Sequence, residues 1–151
     1  IDSVEFAVNF NKGDVLKPIS KIASGGEISR FMLALKNVIS ETDNIETLIF
    51  DEIDTGVSGV AAQTIGEKLK EISRYRQVLC ITHLPQIASY ADRHYLVEKF
   101  DTDITTETVV SRLDDDERVT ELAKMIGGLN ITNTTIENAK ELISKNNRSI
   151  K

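Results

Sequence analysis

Ser24-Gly25-Gly26-Glu27 stands just ahead of Ile28, Phe31, Met32, Leu35, Val38 and Ile39, apolar residues at helical spacing. Glycines let a backbone approach a ligand closely, and a helix N-terminus offers free N–H groups at the positive end of its dipole. With the Ser24 hydroxyl as a further donor, the tetrad suits a phosphate oxygen, although an N-cap with a flexible loop would use the same residue types. Leu48-Ile49-Phe50-Asp51-Glu52 is an apolar run that delivers two adjacent carboxylates to a strand end. Neighbouring strand residues point to opposite faces, so the two acids can divide labour. One can hold Mg²⁺ through its water shell, and the other can orient and deprotonate an attacking water. Two solvated surface acids would look the same. Leu79-Cys80-Ile81-Thr82-His83 is a second apolar run ending in a polar side chain. His83 can donate to a terminal phosphate or hold a water, or can simply cap a surface turn.

These groups need elements to hold them. The apolar period predicts a helix from about Gly25 to Ile39. Thr47–Phe50 and Gln77–Thr82 read as buried parallel strands, with a helix from Val60 to Arg74 between them. Upstream, Val4, Phe6, Val8 and Phe10 alternate with Glu5, Ala7 and Asn9, the pattern of a half-buried strand closed by a turn at Asn11-Lys12-Gly13-Asp14. Downstream, Leu84–Tyr90 predicts a short helix with Pro85 at an early position. Tyr95–Phe100 and Thr105–Leu113 read as a hairpin turning at Asp101-Thr102-Asp103. Arg118–Ile126 is helical and stops at Gly127-Gly128. Thr134-Thr135-Ile136-Glu137 has capping-box spacing for a last helix to about Lys145. This order predicts an α/β fold, a mostly parallel sheet with an antiparallel edge hairpin. The ends of its strands would bring the three chemical groups to one edge, where open α/β sheets bind ligands.

A length of 151 residues fits a single domain over 1–151, and 40% hydrophobic against 28% charged residues excludes a disordered chain. The net charge of −6 argues against a surface that binds nucleic acid everywhere, though not against a local basic patch. The one cysteine, Cys80, excludes an internal disulfide and suits a reducing cytoplasm. Nothing is apolar over a length that spans a bilayer, so no membrane partner is expected. The start, Ile1-Asp2-Ser3-Val4-Glu5, has no signal-peptide pattern and no initiator Met, and reads as a piece of a longer protein, although a processed start would look the same.

Taken in order, the tetrad, the paired acids, the polar loop Asp54-Thr55-Gly56-Val57-Ser58-Gly59 and the histidine resemble the second half of an ABC ATPase. Longer blocks narrow the likeness. Lys21-Ile22-Ala23-Ser24-Gly25-Gly26-Glu27-Ile28-Ser29-Arg30, Phe50 through Gly59, Ile81 through Ala88, and Arg118 through Gly128 are similar to the RecN family of SMC-like ABC ATPases, which act in DNA double-strand-break repair. The resemblance implies the C-terminal lobe of an ABC/SMC-type P-loop NTPase head. On it, Ser24, Gly25, Gly26 and Glu27 match the signature motif that meets ATP. Asp51 matches the Walker B aspartate that supports Mg²⁺, and Glu52 matches the catalytic glutamate. Asp54 opens the D-loop at the nucleotide, and His83 is the switch histidine. It further implies the cofactors ATP and Mg²⁺ and a second head forming an ATP-bound homodimer. DNA would be bound by the complete protein, in a bacterial cytoplasm near the nucleoid. No G-x-x-x-x-G-K-[ST] occurs here. The P-loop lobe and the coiled coil would therefore lie outside this chain, which alone is expected to be inactive.

Two other functions use similar residues. A nucleotide-dependent dimerisation clamp without significant hydrolysis would not need Glu52. A metal-dependent nuclease of the Toprim type would need a D-x-D on a strand, and the best one here, Asp101-x-Asp103, falls in the hairpin turn. The remaining conspicuous residues read as structural. Cys80 is a small hydrophobe in a strand, and His94 an exposed residue near a strand start. Asp114-Asp115-Asp116-Glu117 complements a helix dipole, and Lys140, Lys145, Arg148 and Lys151 form a solvated basic tail.

Overall fold

The computed structural model describes residues 4–9, 13, 15–21, 24–39, 44–101, 105–128 and 130–148. Its centre is a β-α-β unit. Strands β3 (Thr47–Phe50) and β4 (Gln77–Cys80) pair in parallel, from Thr47 opposite Gln77 to Phe50 opposite Cys80, and helix α2 (Gly59–Ile72) connects them. Ala62, Ile65, Leu69 and Ile72 form one buried stripe on α2 and join Leu48, Phe50 and Ile53 in the main core. Helix α1 (Gly25–Val38) adds Leu33 to that core, and Ile39 caps it with an N–H donated to Leu35 O.

Both central strands were read as buried, but only one face is covered. Leu48 and Phe50 point into the core, while Ile49 is 67% exposed, Leu79 45% and Ile81 63%. An apolar run shows that both faces of a strand favour burial without showing that this chain supplies both covers. The polar end also comes sooner than the predicted Thr82, because β4 stops at Cys80 and 81–84 run as an extended connection.

Near the N-terminus, β1 (Ala7–Val8) and β2 (Lys17–Pro18) make a two-residue antiparallel ladder. Val4 and Phe6, expected to be half-buried, are exposed, since so short a ladder offers no layer to pack on. Phe10, Asn11, Lys12 and Asp14 of the predicted strand end and turn lie outside the described residues.

After the short helix α3 (Pro85–Ala88), β5 (Tyr95–Asp101) and β6 (Thr106–Arg112) form the expected hairpin, paired from Tyr95 opposite Arg112 to Asp101 opposite Thr106. The α/β class holds. Among the described residues, however, the hairpin is its own two-stranded sheet, without hydrogen bonds to β3 or β4, rather than the edge of the parallel sheet. Thr102 and Asp103 of the predicted turn lie outside the described residues.

Helix α4 spans Asp115–Gly127, starting before the predicted Arg118 because the acids ahead of it are a capping box. Glu117 N donates to Asp114 Oδ1 at 2.8 Å, and Asp114 N donates to Glu117 Oε2 at 2.9 Å. Helix α5 (Asn133–Arg148) also starts early. Its reciprocal cap uses Thr132 and Thr135 rather than Thr134 and Glu137. Thr135 N donates to Thr132 Oγ1 at 3.2 Å, and Thr132 N donates to Thr135 Oγ1 at 2.9 Å. The two helices enclose a second core of Leu122, Ala123 and Ala139, which reaches Ala88 of α3. A buried polar joint closes this contact: Asn146 Nδ2 donates to Ser89 Oγ at 2.7 Å and Arg118 Nη2 to Ser89 O at 3.0 Å.

Candidate functional site

The start of α1 and the end of β3 touch. Ser24 precedes the helix in an extended conformation, φ −105° and ψ 123°, and its side chain does not cap the helix. Gly25 is exposed, and a methyl group there would collide with the Glu52 carboxylate. Gly26 is buried, and a Cβ would stand 2.9 Å from Glu52 O and 3.1 Å from Thr55 Cβ. Neither position accepts a side chain without displacing Glu52 or its loop. Glu27 lies in the first helical turn, partly exposed, where a negative charge complements the dipole.

Past β3 the chain turns sharply. Glu52 adopts φ 57°, the left-handed region that costs an ordinary residue about 1–2 kcal/mol. Its N–H donates to Asp51 Oδ1 at 2.8 Å, and its carbonyl accepts from Thr55 N at 3.0 Å. This turn throws the Glu52 carboxylate back over the N-terminus of α1 and leaves Asp51 exposed. Strained backbone of this kind is characteristic of functional turns.

Asp54 goes the other way. It is 5% exposed, and one oxygen, Oδ2, accepts from Thr82 Oγ1 at 2.7 Å and from His83 N at 2.8 Å, with His83 Nδ1 3.0 Å away. Burial pushes this carboxyl upward, but the Thr82 hydroxyl, the His83 N–H and the His83 ring together outweigh it and hold Asp54 below its ordinary value of 3.8. The Asp54 carboxylate is thus turned inward, against Thr82 and His83. The His83 side chain remains 75% exposed. With Nδ1 engaged by Asp54, Nε2 is left on the free edge of the ring.

The motif residues therefore fall into two contacts, Gly25 and Gly26 with Glu52, and Asp54 with His83. Three further residues were not singled out in the sequence. Ser29 Oγ donates to Asp51 O at 2.7 Å, and Arg30 Nη1 donates to Ile53 O at 3.1 Å and Thr55 O at 2.8 Å. Thr82 bridges Asp54 to Leu84 N, which donates to its hydroxyl at 3.1 Å. The available signal for Arg30 was its position four residues beyond Gly26, on the same helical face.

Among the described residues no cluster of three or more His, Cys, Asp or Glu side chains gathers to hold a metal. A Mg²⁺ held by one carboxylate, waters and substrate phosphates needs no such cluster, and the exposed Asp51 carboxylate fits that lesser role. Burial, helped by the charges of Asp54 and Asp51, pushes the Cys80 thiol up to about 12. His94 is partly buried rather than exposed, and its Nδ1 is enclosed without a hydrogen-bond partner. Burial, and then the neighbouring Arg118, hold its ring below the usual histidine value.

A parallel β-α-β unit with acids at one strand end, a histidine after the next and a glycine-led helix beside them is an α/β arrangement consistent with the C-terminal lobe of an ABC/SMC-type head. A solved structure concerned with ATP-driven dimerization and DNA-stimulated activation of SMC ATPases shares this fold. Its TM-score is 0.50 and its sequence identity 22%, over 78% of this chain and 70% of that one. No protein-family model matches the chain. At the level of the particular protein, the chain is a relative of the DNA repair protein RecN over almost its whole length. It is 50% identical to RecN of Halalkalibacterium halodurans over 143 residues, 95% of the chain. Identity is 48% to RecN of Bacillus subtilis over 96% of the chain, and 45% to that of Treponema pallidum over 94%. The chain spans about a quarter of the length of these relatives, 25% in each case.

Proposed function

We propose that this chain, over residues 1–151, is the C-terminal lobe of a RecN-like ATPase head working in DNA double-strand-break repair. The observation that carries the reading is that β3 and β4 deliver Asp51, Glu52 and His83 to one end of the parallel pair, where Asp54 ties His83 to the loop that follows Glu52. The P-loop lobe of the same protein supplies the remaining phosphate cradle. Two features support such a lobe: β4 has only one strand neighbour among the described residues, and Ile49, Leu79 and Ile81 leave an apolar sheet face open. Without that lobe the chain is inactive. No helix among the described residues is long and apolar enough to cross a membrane, and the site of action we assign is the bacterial cytoplasm, at the nucleoid.

In this mechanism two heads enclose ATP. Ser24 and the N–H groups of Gly25 and Gly26 meet the γ-phosphate held by the partner head, and Glu27 closes the same helical turn. Glu52 accepts a proton from the attacking water as the new P–O bond forms and ADP leaves. Asp51 would support Mg²⁺, which neutralises phosphate charge. His83 steadies the γ-phosphate through Nε2. Hydrolysis then opens the heads and regulates DNA holding.

Ser24→Arg in the complete protein tests the assignment of the α1 terminus. A bulky cation there blocks docking of the partner's nucleotide but leaves each P-loop site intact. ATP binding by single heads should remain near normal while light scattering shows no ATP-driven dimer. Normal dimers would remove Ser24 from the site.

A further inference from the structure

We propose that Arg30 is a positioning residue that locks the glycine-led terminus of α1 to the loop carrying Glu52 and Asp54, so that contact at one end sets the geometry of the other. The inference rests on the ATPase reading for its catalytic consequence, but the lock itself is visible in the chain. A single guanidinium nitrogen, Nη1, donates to Ile53 O at 3.1 Å and to Thr55 O at 2.8 Å, bracketing Asp54. Ser29, one residue earlier, donates to Asp51 O at 2.7 Å. Two successive helix residues thus hold the backbone on both sides of Glu52. The loop needs such a hold because Glu52 sits in the left-handed region and the turn has few bonds of its own. Those described within it are Thr55 N to Glu52 O at 3.0 Å, Val57 N to Asp54 O at 3.3 Å and Glu52 N to Asp51 Oδ1 at 2.8 Å, beside the anchors that Thr82 and His83 give Asp54. Gly26 makes the lock possible, since a Cβ there would lie 2.9 Å from Arg30 Nη1. Bonds from a charged donor are stronger than neutral ones, and the partly buried guanidinium gains from lower screening. Lysine ends in a shorter, single ammonium and can restore only part of this arrangement.

The test uses Arg30→Met and Arg30→Lys in the complete protein, with two readouts. In amide hydrogen exchange, Arg30→Met should speed exchange at Thr55 and Val57 by about tenfold or more while the amides of β3 and α2 keep their protection. In ATP turnover, kcat should fall by about tenfold to about a hundredfold, the scale of a misplaced catalytic group, with KM for ATP within about threefold. Arg30→Lys should recover part of both effects. A purely structural role would instead lower protection throughout the core and raise KM together with the loss of kcat, and that result overturns the proposal. Unchanged exchange at Thr55 and Val57 overturns it whatever the turnover shows. Glu52→Gln run alongside separates the two readings: if Glu52→Gln hydrolyses ATP normally, the assignment of Glu52 as base fails, and the exchange data still decide the lock.

Discussion

Asp51, Glu52 and Asp54 are nearly adjacent, yet they face three environments. Asp51 is exposed, Glu52 lies over Gly25, and Asp54 is buried against His83. The inward acid has a measurable signature. Its folded-state carboxyl lies below the free value of 3.8, so it contributes stability that is fully present above that value. As pH falls below about 4 and through the depressed folded value, protonation removes the contribution. Asp54→Asn should cost about 1–3 kcal/mol near neutral pH by disrupting bonds to a buried acceptor. The gap to wild type should shrink below about pH 4. Urea unfolding of both chains between pH 3 and pH 7 reads this directly. A pH-independent gap would show that Asp54 is not held as a carboxylate.

At the scale of elements, close approach matters more than intrinsic preference. Gly66 on α2 faces α3, where a Cβ would press into the Tyr90 ring and stand 3.2 Å from Gln86 O. Ala favours a helix over Gly by about 1 kcal/mol, whereas overpacking a tight contact typically costs about 1–3 kcal/mol. Gly66→Ala should therefore lower the thermal midpoint, and a rise would mean that α3 yields easily. The elements themselves were legible, because their signals are local: the helical period after Gly25, the apolar runs before Asp51 and His83, and the acids ahead of α4. The contiguous motifs that carry Ser24, Glu52 and His83 as candidates are local in the same way. Pairings between distant residues were not legible. Nothing near Asn146 announces Ser89, and nothing near Arg30 announces the carbonyls of Ile53 and Thr55. The inward turn of Asp54 depends on Thr82 and His83 arriving from the next strand, which spacing alone does not reveal. The cap of α5 shifted to Thr132 because a threonine hydroxyl at Thr135 can reach back as a glutamate does, so two capping patterns overlapped in one short stretch.

For the whole molecule, the open face of Ile49, Leu79 and Ile81 and the single strand neighbour of β4 among the described residues are the features that support the proposed lobe of a larger head. The central claim is that this head hydrolyses ATP with Glu52 as base, rather than only clamping it. Glu52→Gln in the complete protein tests that claim most directly, measured as ATP turnover and as the fraction of head dimer. The amide preserves size and much of the hydrogen bonding but does not accept a proton near neutral pH. Loss of a positioned base costs about 10²–10⁴ in rate, so turnover should nearly vanish while an ATP-bound dimer accumulates and dissociates slowly. Asp51→Asn, measured beside it, should weaken nucleotide binding as well. Wild-type turnover by Glu52→Gln would contradict the account and point to another base, and loss of both dimer and ATP binding would make Glu52 a structural residue.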